Sequence, residues 1–339
     1  MRAVLAILKA LRRAVGRDLG TLASIKANNL FLFVALLIYG ALNSGQPPKS
    51  AYPFLMLLGF LLLFPLSSDP LGKIPPARLA LWPLTAGQRL GLRLASFVLS
   101  PVAWIGILIL LKTARPLMAL AFCALAVGMQ AVAPRWNLLR SIPQFPGRLG
   151  GLVRKNMREM LSLIDPYAAL LLSAGGGLYR VFGDHPDPDA FTMLGLLVAL
   201  TMSTYAQSLF GLVLGSGSGM TRYRLLPLGG WEILLAKDIA FLAILFVLLL
   251  PLDSGPGMTF GLAALALGHH SSVLLKLPQQ RWRFTGGRLL PVGALQAVGG
   301  MALGFLEHQR GLVVLVPTAA AYLVSLHYYG RRWERVAAC

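Results

Sequence analysis

Carboxylates are scarce in this chain, where 12 Asp and Glu stand against 31 Lys and Arg in 339 residues. None of the acids forms a D-x-x-D-like pair within an apolar run or at its cytoplasmic mouth. The usual means of holding a metal and a diphosphate is therefore missing, which sets a membrane-embedded lipid-modifying enzyme behind other functional classes. Cysteine is scarcer still: Cys123 lies in an apolar run and Cys339 is the last residue. Two such positions allow neither a disulfide framework nor a metal cluster. No G-x-x-x-x-G-K-[ST] occurs, so the chain has no P-loop of its own to cradle a nucleotide. "GSGSG" at 215–219 lacks the spacing of a nucleophile elbow and reads as a linker. No catalytic residue, cofactor site or metal site is expected.

What the chain has is apolar length. Hydrophobic residues make up 56% of it, charged residues 13%, and the mean hydropathy is +0.69, the composition of a membrane protein. Ten spans are expected, near residues 28–43, 51–67, 94–111, 116–133, 162–182, 190–214, 238–252, 258–275, 289–306 and 311–328. Ahead of them, Val4, Leu8, Leu11, Val15, Leu19 and Leu22 recur at steps of three and four. Lys9, Arg12, Arg13 and Arg17 fill the other face and interrupt any signal-peptide core. That pattern predicts an amphipathic helix on an anionic leaflet over residues 1–27.

With the N-terminus inside, the expected cytoplasmic segments hold 26 of the 31 Lys and Arg. Lys49, Lys112, Arg115, Arg180 and Arg310 remain outside. The split predicts an even number of spans in an inner (plasma) membrane of bacterial type, with both termini cytoplasmic. It also accounts for the net charge of +19 without nucleic acid, since the charge is spread over short loops. The external "GDHPDPDAF" at 183–191 reads as a Pro-rich connection.

One phrase occurs twice. "RLALWPLTAGQRLGLRLASF" (78–97) aligns with "RYRLLPLGGWEILLAKDIAF" (222–241) at a shift of 144, with six identities in 20 positions. Thr85 and Gln88 form a T-x-x-Q capping box; Gly229 and Glu232 hold the same places in the second copy. Pro83 and Pro227 stop whatever precedes them, and Arg93 and Lys237 mark where each new helix is expected to meet the membrane surface. An internal duplication follows, parallel because an even number of spans separates the copies. The expected organisation is all-α in two pseudo-symmetric halves. Residues 28–161 carry the segment 78–93, residues 162–288 carry 222–237, and 289–339 supply two further spans and a basic tail.

The stretch 208–240, "SLFGLVLGSGSGMTRYRLLPLGGWEILLAKDIA", resembles the cytoplasmic segment between the second and third spans of permease subunits in type-two ABC exporters. Pro227, Leu228, Trp231, Glu232, Ile233, Leu234, Leu235, Ala236 and Lys237 carry the likeness, and 78–97 echoes it. Gly229 stands where the family usually has Ser. The resemblance implies a coupling helix in each copy that docks on a separate P-loop ATPase dimer, with ATP and Mg bound by that partner. Trp82 and Trp231 would then be apolar anchors, with Glu232 and Lys237 as helix-end and rim charges. One chain, or a homodimer, would serve one ATPase dimer.

Polar residues inside spans are expensive and are the default pathway candidates: Asp165, Gln130, Gln207 and Gln296. An ion-coupled secondary transporter is the alternative function, for which Asp165 is the expected carboxylate. His269 and His270 are adjacent and so face different sides of a helix, poor geometry for one metal.

Overall fold

In a computed structural model the chain is described at residues 6–13, 82, 84–99, 142–161, 165–183, 185–207, 223, 225–274 and 290–338. Among these residues the fold is all-α, with no strand. The chain divides into two compact units, Met1–Asn137 and Leu138–Cys339.

In the first unit, residues 6–13 are helical and α1 spans Ala86–Leu99. Ile7, Leu11, Leu84 and Leu92 bury together, with Leu8 packed against them. Leu8 and Leu11 belong to the apolar stripe expected of the N-terminal amphipathic helix, and within this unit that stripe finds a protein partner.

The second unit contains α2 (Gly150–Leu161), α3 (Asp165–Phe182), α4 (Pro188–Met202), a 3-10 turn (Ser203–Gln207), α5 (Gly230–Leu249), α6 (Ser254–Leu274), α7 (Leu290–Arg310) and α8 (Leu312–Ala338). Local signals place their ends. Asp187 caps α4 by accepting from the Asp189 amide, with Pro188 at the first position, where its missing N–H costs nothing. Pro251 follows α5 and cannot continue it. Gly311, at φ +58°, is the only residue between α7 and α8, and its amide closes on the Glu307 carbonyl. That left-handed conformation is the reason for glycine there.

Central to this unit is α6, packed against α4, α5, α7, α8 and the 3-10 turn. Its approach is close because glycine lines it. A Cβ on Gly268 would lie 2.2 Å from the Ala206 carbonyl oxygen, and one on Gly261 would lie 2.5 Å from a Leu245 methyl. Around it Leu234, Phe241, Leu245, Leu249, Phe260 and Leu265 are fully or almost fully buried.

Among the described residues two helices are long and apolar enough to cross a membrane, Pro188–Gln207 and Leu312–Arg335. They differ in setting: 61% of the apolar window is buried in the former and 17% in the latter. On α8, Leu312, Val313, Val316, Leu323 and Val324 are all exposed. The expected spans 28–43, 51–67 and 116–133 lie outside the described residues.

Two glycines separate packing from propensity. Gly268→Ala, against backbone, is expected to cost about 1–3 kcal/mol by overpacking. Gly299→Ala, with open space around its Cβ position, is expected to gain about 0.5–1 kcal/mol from helix propensity. Thermal unfolding of the two purified variants beside the parent checks both signs.

Candidate functional site

Both copies of the repeated phrase begin a helix. In the first, the Thr85 amide donates to Gln88 Oε1 at 3.1 Å and the Gln88 amide donates to Thr85 Oγ1 at 3.3 Å, a reciprocal capping box. Trp82 is exposed just ahead of it. Pro83 lies outside the described residues, and Arg93 lies on α1 with its side chain outside them.

The second copy is capped by two carboxylates. The Gly229 amide donates to Glu232 at 2.7 Å, and the Gly230 amide donates to Glu334 of α8 at 2.8 Å. Both negative charges meet the positive end of the α5 dipole. Arg148 answers them, with one guanidinium nitrogen 3.8 Å from Glu232 and another donating to the Pro227 carbonyl. A Cβ on Gly330 would lie 2.6 Å from Trp231 Cβ, so α8 presses directly on the first turn of α5. The Trp231 side chain remains exposed, as do Leu225, Leu226 and Pro227. Phe145, Arg148, Leu149, Val153 and Ile239 line a shallow depression in the same unit. Tyr223, nearby in the chain, is held by Lys155, whose ammonium donates to its hydroxyl at 3.0 Å. Burial, then the charge of Glu159, pushes its phenol above the ordinary tyrosine range.

Lys237 departs from expectation. The sequence puts it where α5 meets a membrane surface, but it is 0% exposed, because α5 starts at Gly230 and runs unbroken to Leu249. Two helical turns separate Lys237 from the exposed end, and that depth turns a rim charge into an interior one. Its ammonium donates to the Ala206 carbonyl at 3.1 Å and to Ser272 Oγ at 3.3 Å, and lies 3.3 Å from Asp238 Oδ1. Asp238, also 0% exposed, accepts at Oδ2 from Tyr322 at 3.1 Å and sits 2.9 Å from His269 Nε2. His269 Nδ1 is 3.0 Å from Ser325 Oγ, which donates to the Ala266 carbonyl at 2.6 Å. The chain thus carries an enclosed polar cluster built by α5, α6, α8 and the 3-10 turn.

Sequence reasoning missed Asp238. Starting the span at residue 238 set the carboxylate at its boundary, whereas the adjacent "KD" inside a 20-residue apolar helix was the available signal. His270 points away from its neighbour, is exposed, and has Nδ1 3.1 Å from the Tyr329 hydroxyl. Among the described residues no group of three or more His, Cys, Asp and Glu could hold a metal ion.

The pathway candidates fall into two places. Gln207 donates to Gln296 Oε1, and the Gln296 amide donates to the carbonyls of Ser203 at 3.0 Å and Ala264 at 3.1 Å, joining the 3-10 turn, α6 and α7. Asp165 begins α3, is 1% exposed, and accepts from the Thr204 hydroxyl at 3.4 Å. Gln130 lies outside the described residues. Arg180 donates to the Pro251 carbonyl at 3.3 Å and covers the Phe191 ring at 4.8 Å. Compared with known protein families, curated proteins and solved structures, the chain matches none.

Asp238→Ala leaves Lys237 buried without its counter-ion and is expected to cost about 3–5 kcal/mol. Lys237→Met together with Asp238→Asn removes both charges and is expected to recover most of that loss. A double-mutant cycle on chemical unfolding midpoints measures the coupling. Glu334→Ala is expected to speed hydrogen exchange at the first α5 amides several-fold by removing a cap of about 1 kcal/mol, read by mass spectrometry of peptides covering residues 228–236.

Proposed function

We propose that the chain is the membrane-spanning permease subunit of an ATP-driven exporter of the type-two ABC class. It would be a polytopic protein of about ten helices in two related halves, with cytoplasmic termini, working with a separate P-loop ATPase dimer that binds ATP and Mg. The observation that carries the reading is the N-terminus of α5. Four exposed residues, Leu225, Leu226, Pro227 and Trp231, surround a helix end clamped by Glu232, Glu334 and Arg148. An apolar ledge at the start of a helix most of whose residues are buried suits the transfer of a partner's movement into a bundle, because a helix moves as a unit. The exposed apolar face of α8 supports a lipid setting, where such a surface costs nothing. In the first copy, Trp82 stands exposed beside a second capped helix start. ATP-driven closure of the ATPase pair would be passed into the membrane helices through such capped ends and drive alternating access. An interior with few polar groups favours a lipid or other hydrophobic cargo.

An ion-coupled transporter is the second reading, favoured by the enclosed Asp238 carboxylate.

The test is capture of partners by the tagged full chain from its native cells, in mild detergent with light cross-linking. A P-loop ATPase is expected at two copies per assembly. Trp231→Ala combined with Leu225→Ser is expected to weaken its capture at least tenfold, on the scale of a lost interface anchor, without lowering the thermal midpoint. Absence of any ATPase, or capture unaffected by the substitutions, counts against the reading.

A further inference from the structure

The hydrogens of the enclosed cluster can be counted, and the count does not close with ordinary charges. Ser325 has one hydroxyl hydrogen, and it is committed to the Ala266 carbonyl at 2.6 Å. His269 Nδ1, 3.0 Å from the same Ser325 oxygen, must then be the donor, since two acceptors facing each other repel. On the other side of the ring, Nε2 lies 2.9 Å from Asp238 Oδ2. Tyr322 spends its only hydroxyl hydrogen on that same oxygen at 3.1 Å. A carboxylate only accepts, so the contact between Nε2 and Oδ2 needs a hydrogen of its own. His269 and Asp238 together therefore carry two hydrogens, one more than a neutral imidazole beside an ionised carboxylate.

We infer that Asp238 and His269 form a proton-binding site, and that this arrangement is its loaded form. The extra proton lies between His269 Nε2 and Asp238 Oδ2. On release, Nε2–H stays as the donor to an ionised Asp238, Nδ1 gives up its hydrogen, and the Ser325 hydroxyl turns from the Ala266 carbonyl to donate to Nδ1. One proton leaves, and of the acceptors named only the Ala266 carbonyl loses a bond, one additional to its place in the α6 helix. Ser325 is thus a positioning residue whose rotation accompanies loading.

The surroundings suit a proton better than a metal cation. Lys237 already supplies a fixed positive charge at Asp238 Oδ1, 3.3 Å away, and its other contacts are the Ala206 carbonyl and Ser272. A second cation would have to displace it. The groups facing the pair are Lys237 from α5 and Tyr322 from α8, with the Tyr329 ring centroid 6.4 Å from that of the imidazole. From the 3-10 turn comes the Ala206 carbonyl, through Lys237. Among the described residues α4 and α7, which also pack on α6, bring no charge to the pair. The site names the ion that a transporter of the second kind would need, yet it stands whether or not an ATPase drives the chain.

The test reads the proton and not transport. The full chain, labelled with 15N in its histidines, is placed in lipid nanodiscs, and His269 is assigned by its disappearance in His269→Gln. Ring nitrogen resonances are followed from mildly acidic to mildly alkaline pH. The expected result is a form with Nδ1 protonated and a second hydrogen shared between Nε2 and Asp238, which gives way to a neutral Nε2–H ring as one proton is released. In Asp238→Asn, whose amide still donates to Nε2, the shared hydrogen is expected to vanish and a neutral Nδ1–H ring to remain. Ser325→Ala is expected to lower the pH of release by about one unit, because a charged donor loses its acceptor, and Ser325→Thr to restore it. A neutral imidazole beside an ionised Asp238 across the whole range overturns the inference, and so does a release unaffected by Ser325→Ala.

Discussion

Adjacent residues of opposite charge, Lys237 and Asp238, are enclosed in the middle of an apolar helix, and the second unit is arranged around that fact. Removing each from water costs several kcal/mol, recovered only if their mutual attraction is joined by well-placed hydrogen bonds. The partners come from three other segments: Ala206 from the 3-10 turn, Ser272 and His269 from α6, and Tyr322 from α8. None of these contacts survives a slip of one helix against another. A single pair of charges thereby sets the depth and rotation of α5 against its neighbours with a specificity that leucine packing alone would not impose. Gly268 makes this possible by letting α6 come close enough for the Ala206 carbonyl to be shared by Lys237 and Ser272.

The two copies of the repeated phrase solve one problem with different chemistry. A helix start leaves backbone amides without partners. The first copy satisfies them from within, through Thr85 and Gln88. The second has glycine where the hydroxyl would be, and it recruits Glu334, 104 residues away, beside its own Glu232. The start of α5 is consequently a tertiary structure, complete only when α8 is in place, whereas the start of α1 is complete in its local sequence.

That difference marks how far the sequence could be read. Features set within a turn of helix were legible: the reciprocal bonds of Thr85 with Gln88, the return of Glu232 to Gly229, and the divergence of His269 from His270. What stayed hidden were pairings between distant positions. Gln207 and Gln296 each stood out as costly polar residues, but nothing local announces that they bond to each other. Asp238 was overlooked for a related reason: the boundary of an apolar run was drawn at its last charge, and the start of α5 lies two turns earlier. Lys237 was misread for the same cause, since a cation beside an apolar run looks the same whether it ends the helix or is swallowed by it.

The long last helix has one interruption, Pro317, whose ring cannot bond the Val313 carbonyl. Beyond it α8 runs from Thr318 through Tyr322 and Ser325 to Glu334 without another proline, roughly 25 Å at 1.5 Å per residue. Tyr322 and Ser325 of the polar cluster and Glu334 of the α5 cap are therefore carried on one continuous stretch of helix. A turn or slide of that helix that shifts Tyr322 and Ser325 would carry Glu334 with them, so the polar cluster and the ledge share one backbone.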